Sequence, residues 1–123
     1  MSDRPLGSAF ADAGDGIRRA IVEEPNFRLQ LVLAVIAVAV AWWLRFSLWQ
    51  WVALTVMIGI VLAAELFNTC LEHVVDLIQP DTHPLARFAK HAGAGAVLVA
   101  SLSALAVGLL LYVPLLWARF FGH

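Results

Sequence analysis

Three long apolar stretches, separated by short polar segments, set the pattern of this chain. The first covers residues 29–44, the second starts at residue 46 and stays uncharged to residue 64, and the third covers residues 92–118 without a charge. A helix needs about twenty mostly apolar residues to cross the roughly 30 Å hydrocarbon core of a bilayer. The first stretch rises only about 24 Å, and the long side chains of Arg28 and Arg45 at its ends reach the remaining distance. The pattern therefore predicts three transmembrane helices.

Polar segments with their own patterns precede and separate these stretches. In residues 8–24 the apolar side chains fall near one helical face and the charged ones elsewhere, which is typical of an amphipathic helix lying at a bilayer surface. Polar residues and two prolines mark residues 77–91, which are predicted to form a cytoplasmic loop or a short interfacial element. Residues 46–76 form the second transmembrane helix with an acidic extension. The predicted fold is an all-α integral membrane protein, with three transmembrane helices and an N-terminal amphipathic surface helix per subunit.

The composition supports this class and removes one kind of partner. Of the 123 residues, 62% are hydrophobic and 14% are charged, and the mean hydropathy is +0.84. An ordinary soluble domain is much more polar. Eight Lys and Arg residues nearly balance nine Asp and Glu residues, which leaves a net charge of −1. Because the chain has no excess of positive charge, it is not expected to bind nucleic acid.

The basic residues predict the orientation of the chain in the membrane. Cytoplasmic loops of membrane proteins carry more Lys and Arg than loops on the other side. Six of the eight basic residues lie in the N-terminal segment and in the loop after the second transmembrane helix, and two lie on the opposite side. The six are Arg4, Arg18, Arg19, Arg28, Arg87 and Lys90, and the two are Arg45 and Arg119. The N-terminus is therefore predicted to be cytoplasmic.

An acidic stripe follows the uncharged part of the second transmembrane helix. Glu65, Asn68, Glu72 and Asp76 stand at i, i+3, i+7 and i+11. At about 100° per residue the three carboxylates fall within about 40° of one another, with Asn68 about 60° to one side. Ionisable groups at the edge of a membrane span are costly and are kept mainly where they serve a function. The stripe therefore predicts a functional site on the cytoplasmic side of the bilayer.

Converging carboxylates at a membrane surface suit phosphoryl transfer. Mg²⁺ prefers oxygen ligands and is commonly held by one or two protein carboxylates together with the phosphates of a nucleotide. A further carboxylate can accept a proton from an alcohol, and the reaction otherwise needs in-line positioning and positive charge on the phosphates. No Walker pattern is present, because Gly93 and Gly95 are not followed by the required lysine and hydroxyl residue. These glycines are predicted instead to permit close contact between helices.

Three segments of the chain resemble a known family. The runs AELFNTCLEHVVDLI and HPLARFAKHAGAGAVLVA, with GIRRAIVEEPNFRLQ upstream, are similar to the signature of the small prokaryotic lipid kinases of the diacylglycerol kinase type, which include the undecaprenol kinases. The resemblance covers roughly residues 14–112. It implies a homotrimer in the bacterial inner membrane, with active sites shared between neighbouring subunits. It also implies that MgATP is used to phosphorylate a lipid alcohol in the membrane.

The resemblance assigns roles to the residues of the acidic stripe. Glu65 matches the proposed general base, and Asn68 lies one turn further on, where it can orient that carboxylate or the lipid head. Glu72 matches a metal-binding carboxylate, and Glu24 matches a second metal ligand from the N-terminal region. Both glutamates are thereby also part of the expected nucleotide site. Asp76 continues the stripe and is expected to support the site without touching the metal.

Three residues in the second half of the chain are assigned to the nucleotide by the same resemblance. Lys90 matches the lysine that contacts the phosphates, and the loop around His83 is expected to lie against the nucleotide. His91 stands where members of the family usually carry an aspartate. An imidazole ring can donate or accept a hydrogen bond, but it does not supply the same negative charge. We therefore expect His91 to alter nucleotide affinity or purine preference.

Two other classes of function remain open from the sequence. A small ion or proton transporter would need polar residues deeper in the spans, which read as almost wholly apolar apart from Thr55, Ser101 and Ser103. A non-catalytic membrane assembly protein is the second alternative. Neither class needs a phosphate-binding lysine together with a base and two metal ligands. The lipid also remains open, because diacylglycerol and undecaprenol both offer a primary hydroxyl group at the interface.

Overall fold

The computed structural model describes residues 5–122 as a chain of four helices. Helix α1 covers Leu6–Glu23, α2 covers Pro25–Trp43, α3 covers Leu48–Ile78 and α4 covers Pro84–Phe121. No strand occurs among these residues, and α2, α3 and α4 are each long and apolar enough to cross a membrane. The predicted all-α integral membrane fold is confirmed. Arg4, which counted toward the predicted orientation, lies outside the described residues.

Helix α1 is the predicted N-terminal helix. It starts two residues before the predicted residue 8 and ends one residue before the predicted residue 24. Most of its side chains are exposed in the single chain, including the large apolar side chains of Phe10 and Val22, whereas Ala20 is buried. Its location at a bilayer surface stays a prediction.

A sharp corner joins α1 to α2 and holds Glu24 in extended backbone between the two helices. Pro25 starts α2, because a proline at the first helical position loses no internal hydrogen bond and has a suitable φ angle. Arg28 reaches back and donates hydrogen bonds from Nη1 to the carbonyl oxygens of Ile21 and Val22, at 3.0 and 2.7 Å. These bonds satisfy carbonyl groups at the end of α1 that have no partner within the helix. The corner therefore fixes the backbone from which the Glu24 side chain projects.

A tight turn joins α2 to α3. The backbone N–H of Phe46 donates to the carbonyl oxygen of Ala41, and that of Arg45 donates to Trp42, which is the hydrogen-bond pattern of a Schellman motif. Arg45 has a φ angle of 59°, in the left-handed region that this motif requires. Ser47 then caps the start of α3. The turn reverses the chain, so α2 and α3 run antiparallel.

A small apolar core lies near this turn, where the three long helices meet. Ala41, Phe46 and Leu54 are buried there and form the small apolar core. Tyr112 of α4 contacts the ring of Phe46, with 4.9 Å between ring centroids, and its hydroxyl group donates a 2.5 Å hydrogen bond to the carbonyl oxygen of Ala37. This bond ties α4 to α2. The candidate site residues lie toward the other end of the bundle.

The segment 77–91 is largely helical, which corrects the expectation of a loop. Helix α3 continues to Ile78 and α4 begins at Pro84, so a connection of five residues, 79–83, joins them. Pro84 is tolerated as the first residue of a helix, and the preceding His83 caps it. Of the two prolines that favoured a loop, Pro84 therefore marks the start of a helix and Pro80 lies in the connection.

Helix α4 starts eight residues before the predicted residue 92. Its 38 residues rise about 57 Å, which exceeds the roughly 30 Å hydrocarbon core of a bilayer. Part of α4 must therefore extend beyond the hydrocarbon core. Lys90 and His91 lie on this helix and not on a loop, so their side chains point in directions fixed by the helical rotation of about 100° per residue.

Candidate active site

Glu65 is the buried charged residue of the described chain. It lies on α3 and is 6% exposed. Gln30 of α2 donates a hydrogen bond from Nε2 to Oε2 of Glu65, over 3.5 Å. Sequence reasoning missed Gln30 as a functional residue, although a polar side chain inside an apolar stretch was the available signal. The carboxyl group predicted to be the base therefore lies between two helices and has a specific donor.

The charges of two further carboxylates act on Glu65. Glu72 follows it by two turns on α3, and Glu24 comes from the corner between α1 and α2. Both are half-buried, and the negative charges of both act on the Glu65 carboxyl group. The structure thus brings together three of the glutamates that were predicted to form the site, although they come from positions more than forty residues apart.

Asn68 lies one turn beyond Glu65 and contacts α4. Its Oδ1 atom is buried and has no hydrogen-bond partner within the described residues. Gly93 of α4 faces it so closely that an added methyl group would overlap Asn68 Oδ1 and come within 2.8 Å of Leu71 Cδ2. An added methyl group at Gly95 would have no such neighbour within 4 Å. The predicted close helix contact is therefore seen at Gly93 within this chain, and at Gly95 it stays a prediction.

Lys90 reaches from α4 to the acidic stripe on α3. Its Nζ atom forms an ion pair with Oδ1 of Asp76. Asp76 lies one turn beyond Glu72 on α3, so the ammonium group is held at the end of the stripe. The structure therefore brings the predicted phosphate-binding lysine to the end of the stripe that also carries Glu72.

The two histidines assigned to the nucleotide have different surroundings. His83 is exposed and caps α4, because its Nδ1 atom accepts a 3.1 Å hydrogen bond from the backbone N–H of Leu85. His91 is exposed on α4, about 100° around the helix from Lys90. The structure gives His83 a structural task and leaves the His91 ring accessible.

A groove of about 460 Å³ lies between α1 and α3, beside the glutamates. Glu24 and Glu23 line it from the end of α1, and Thr69 and His73 line it from α3. Its volume is in the range of sites for small molecules. The groove therefore opens beside Glu24, on a face of α3 next to the acidic stripe and not on the stripe itself.

The donor set fits one Mg²⁺ ion only if a ligand supplies further oxygens. Within residues 5–122, no three His, Cys, Asp or Glu side chains are grouped so that they could hold a metal ion. Mg²⁺ is usually held by one or two carboxylates together with phosphate oxygens and water. Glu24 and Glu72 offer ligands of this chemistry, so the residues present fit a metal that arrives with a nucleotide.

The chain matches a protein family and several named bacterial proteins. A family model described as prokaryotic diacylglycerol kinase matches residues 11–112. The undecaprenol kinase of Bacillus subtilis strain 168 is 37% identical over 106 residues, which cover 86% of each chain. The diacylglycerol kinase of Escherichia coli strain K12 is 34% identical over 105 residues, which cover 85% of this chain and 83% of the relative. The diacylglycerol kinase of Helicobacter pylori strain 26695 is 29% identical over 115 residues, which cover 94% of this chain and 83% of the relative.

The helical membrane fold and these matches define an integral membrane lipid kinase, an enzyme that transfers a phosphoryl group to a lipid. The chain belongs to the prokaryotic diacylglycerol kinase family. This membership favours neither a transporter nor a non-catalytic assembly protein.

Proposed function

We propose that this enzyme transfers the γ-phosphate of ATP to the hydroxyl group of a lipid alcohol, with Glu65 as the general base. The observation that carries the proposal is the burial of the Glu65 carboxyl group beside Glu24 and Glu72. The lipid oxygen loses its proton to Glu65 and forms a bond to the γ-phosphorus, while the bond from that phosphorus to the ADP oxygen breaks. The products are a lipid phosphate and ADP.

Glu24 and Glu72 are proposed to hold Mg²⁺ together with phosphate oxygens of the nucleotide. A bound Mg²⁺ ion neutralises charge on the transferring phosphoryl group. Glu24 comes from a corner that is fixed by Pro25 and Arg28, and Glu72 comes from the rigid helix α3. Ligands on two separate elements converge only when the chain is folded.

Lys90 is proposed to bind the nucleotide phosphates, with His83 and His91 nearer the nucleoside. Asp76 holds the Lys90 ammonium group at the end of the acidic stripe, which supports a role for Asp76 in positioning that lysine. Asn68 lies one turn beyond the base and packs against α4, and its side-chain amide is proposed to orient the Glu65 carboxyl group or the lipid head. These roles give each residue of the site one task in the transfer.

The lipid is proposed to be diacylglycerol or undecaprenol. Relatives named undecaprenol kinase and diacylglycerol kinase are similar to this chain to nearly the same degree, at 37% and 34% identity. Both alcohols can bring a primary hydroxyl group to the membrane surface. The apolar side chains exposed on the helices do not distinguish a branched prenyl chain from acyl chains.

The proposed assembly and location of this enzyme rest on its resemblance to the prokaryotic diacylglycerol kinase family. We propose a homotrimer with active sites shared between neighbouring subunits, in the bacterial inner membrane, with a cytoplasmic N-terminus. ATP is available on the cytoplasmic side, which is also the side that the basic residues predict for the carboxylates. Chemical cross-linking of the purified protein in detergent is expected to give species of one, two and three chains.

The test of the reaction is phosphorylation of each lipid alcohol by purified protein with labelled ATP and Mg²⁺. Glu65→Gln keeps the size of the side chain but removes the base, so we expect the rate to fall by at least about 100-fold. Glu72→Ala is expected to weaken Mg²⁺-dependent nucleotide binding. Glu23→Gln is the matched control, because Glu23 is exposed and pairs with Arg19. Turnover by Glu65→Gln near the wild-type rate contradicts the assignment of the base.

A further inference from the structure

Gln30 is the polar residue of α2 that contacts the proposed base. Its Nε2 atom lies 3.5 Å from Oε2 of Glu65 and donates a hydrogen bond to it. The Glu65 side chain is buried and that of Gln30 is half-buried. Gln30 of α2 therefore donates a hydrogen bond to the Glu65 carboxyl group of the neighbouring antiparallel helix α3.

The oxygen atom of the Gln30 amide makes no hydrogen bond in the described chain. This Oε1 atom is buried and lacks a hydrogen-bond partner within residues 5–122. A buried acceptor without a partner destabilises the folded chain, and a leucine at this position would avoid that cost. The Gln30 amide is unfavourable for packing, yet it contacts the proposed base. This combination indicates that Gln30 has a role in the site.

Gln30 also lies at one end of an apolar groove. The groove has a volume of about 470 Å³ and lies between α2, α3 and α4. On α2 it starts at Gln30 and continues past Leu33 to Ala37, and on α3 it ends at Leu62, about one turn before Glu65. The amide and the carboxyl group therefore lie together where the apolar surface ends.

We propose that Gln30 is a positioning residue for the general base, a role that rests on the proposed function of Glu65. The hydrogen bond to Oε2 restricts rotation of the carboxyl group and leaves Oε1 of Glu65 to accept the hydroxyl proton of the lipid alcohol. Hydrogen bonds in active sites are often long in the free enzyme and shorten in the substrate complex. A displacement of about 1 Å in such a site costs about 100-fold in rate.

The substitution Gln30→Met tests the role, because methionine keeps the length of the side chain and removes its polar atoms. We expect kcat for lipid phosphorylation to fall by about 10- to 100-fold, with KM for ATP within about twofold of wild type. Gln30→His is expected to recover most of the rate, because an imidazole N–H can donate to the carboxylate. Val35→Met introduces the same side chain on an exposed part of α2 that does not line the groove and is expected to keep the wild-type rate.

A double substitution tests whether Gln30 acts through Glu65. Residues that act as a unit give losses that are not additive, so Gln30→Met is expected to cause no further loss in the Glu65→Gln background. An equal loss in both backgrounds overturns the proposal, and so does a kcat for Gln30→Met within about twofold of wild type.

A second variant tests the role if Gln30→Met does not fold, as judged by circular dichroism in detergent. This variant is Gln30→Asn, because asparagine keeps the amide but is too short to reach Glu65. The same loss of kcat is expected, and a wild-type rate for Gln30→Asn overturns the proposal. A wild-type enzyme that phosphorylates neither lipid contradicts the proposed function itself, whereas an active wild type with an equally active Gln30→Met variant contradicts only the role of Gln30.

Discussion

The ion pair between Lys90 and Asp76 matters for position more than for stability. The two side chains are 37% and 59% exposed, and pairs of this exposure contribute about 0–1 kcal/mol to stability. The pair does, however, join α4 to the end of the acidic stripe on α3. Nucleotide phosphates would compete with Asp76 for the Lys90 ammonium group. Nucleotide binding is therefore expected to exchange one ionic contact of Lys90 for another.

His91 is the residue next to this lysine where the resemblance predicts an aspartate. We expect His91→Asp to lower KM for ATP several-fold, because an aspartate would supply an acceptor and a negative charge beside the lysine. Steady-state kinetics with ATP varied at saturating lipid measure the effect. Ala92→Asp is the control, because it places the same charge about 100° further around α4, and its KM is expected to stay unchanged. Equal KM values for wild type and His91→Asp would remove the proposed effect.

The site residues differ in how well the sequence could predict them. Glu65, Glu72 and Asp76 were recognisable because helical periodicity alone places them on one face. Glu24 was matched only through the resemblance, since its approach to Glu65 depends on the corner at Pro25. Gln30 was missed because one amide changes the hydropathy of an apolar stretch very little, and its partner Glu65 is 35 residues away.

The approach of α4 to α3 depends on the absence of a side chain at Gly93. We expect Gly93→Ala to lower kcat by at least about 10-fold, because the added methyl group displaces Asn68 or moves α4 and with it Lys90, one turn away. Initial rates of lipid phosphorylation measure the loss. Alanine is better than glycine within a helix by about 1 kcal/mol, so a general loss of helix stability is not expected to explain the effect.

Gly95→Ala is the matched control for this prediction. It gives the same gain in helix propensity two residues away, and within the chain its methyl group would meet nothing within 4 Å. We expect its rate to equal that of wild type. Equal rates for Gly93→Ala and Gly95→Ala would mean that the close contact is not needed for catalysis. A loss with Gly95→Ala alone would instead indicate that this position faces another copy of the chain.

The elements themselves were predicted better than their boundaries. Long apolar stretches identified α2 and α3, because length and hydropathy are sufficient for a membrane span. The start of α4 was missed because two prolines and several polar residues suggested a loop. Pro84 acts there as the first residue of the helix, and the capping contact from His83 to Leu85 becomes visible only in three dimensions.

The single chain has only a small core. The buried apolar side chains of the described residues are few, and most large apolar side chains on the three long helices are exposed. Such a surface is unfavourable in water but is suited to a bilayer, whose hydrocarbon covers it. A helix bundle of this kind is therefore held by the membrane and, in our proposal, by neighbouring copies. Purified enzyme is expected to need detergent or lipid at every step.

The orientation of the whole molecule decides whether ATP can reach the carboxylates. With three crossing helices, α1 and the 79–83 connection lie on one side of the bilayer and the turn at Ser47 lies on the other. In a Cys70→Ala background, we expect a membrane-impermeant maleimide to label Ser47→Cys in intact spheroplasts, and to label Ser8→Cys and Thr82→Cys only after lysis. Each variant should keep lipid kinase activity, which shows that the labelled protein is folded. Labelling of Ser8→Cys and Thr82→Cys from outside would place the acidic stripe on the side without ATP, and would contradict both the orientation and the proposed nucleotide.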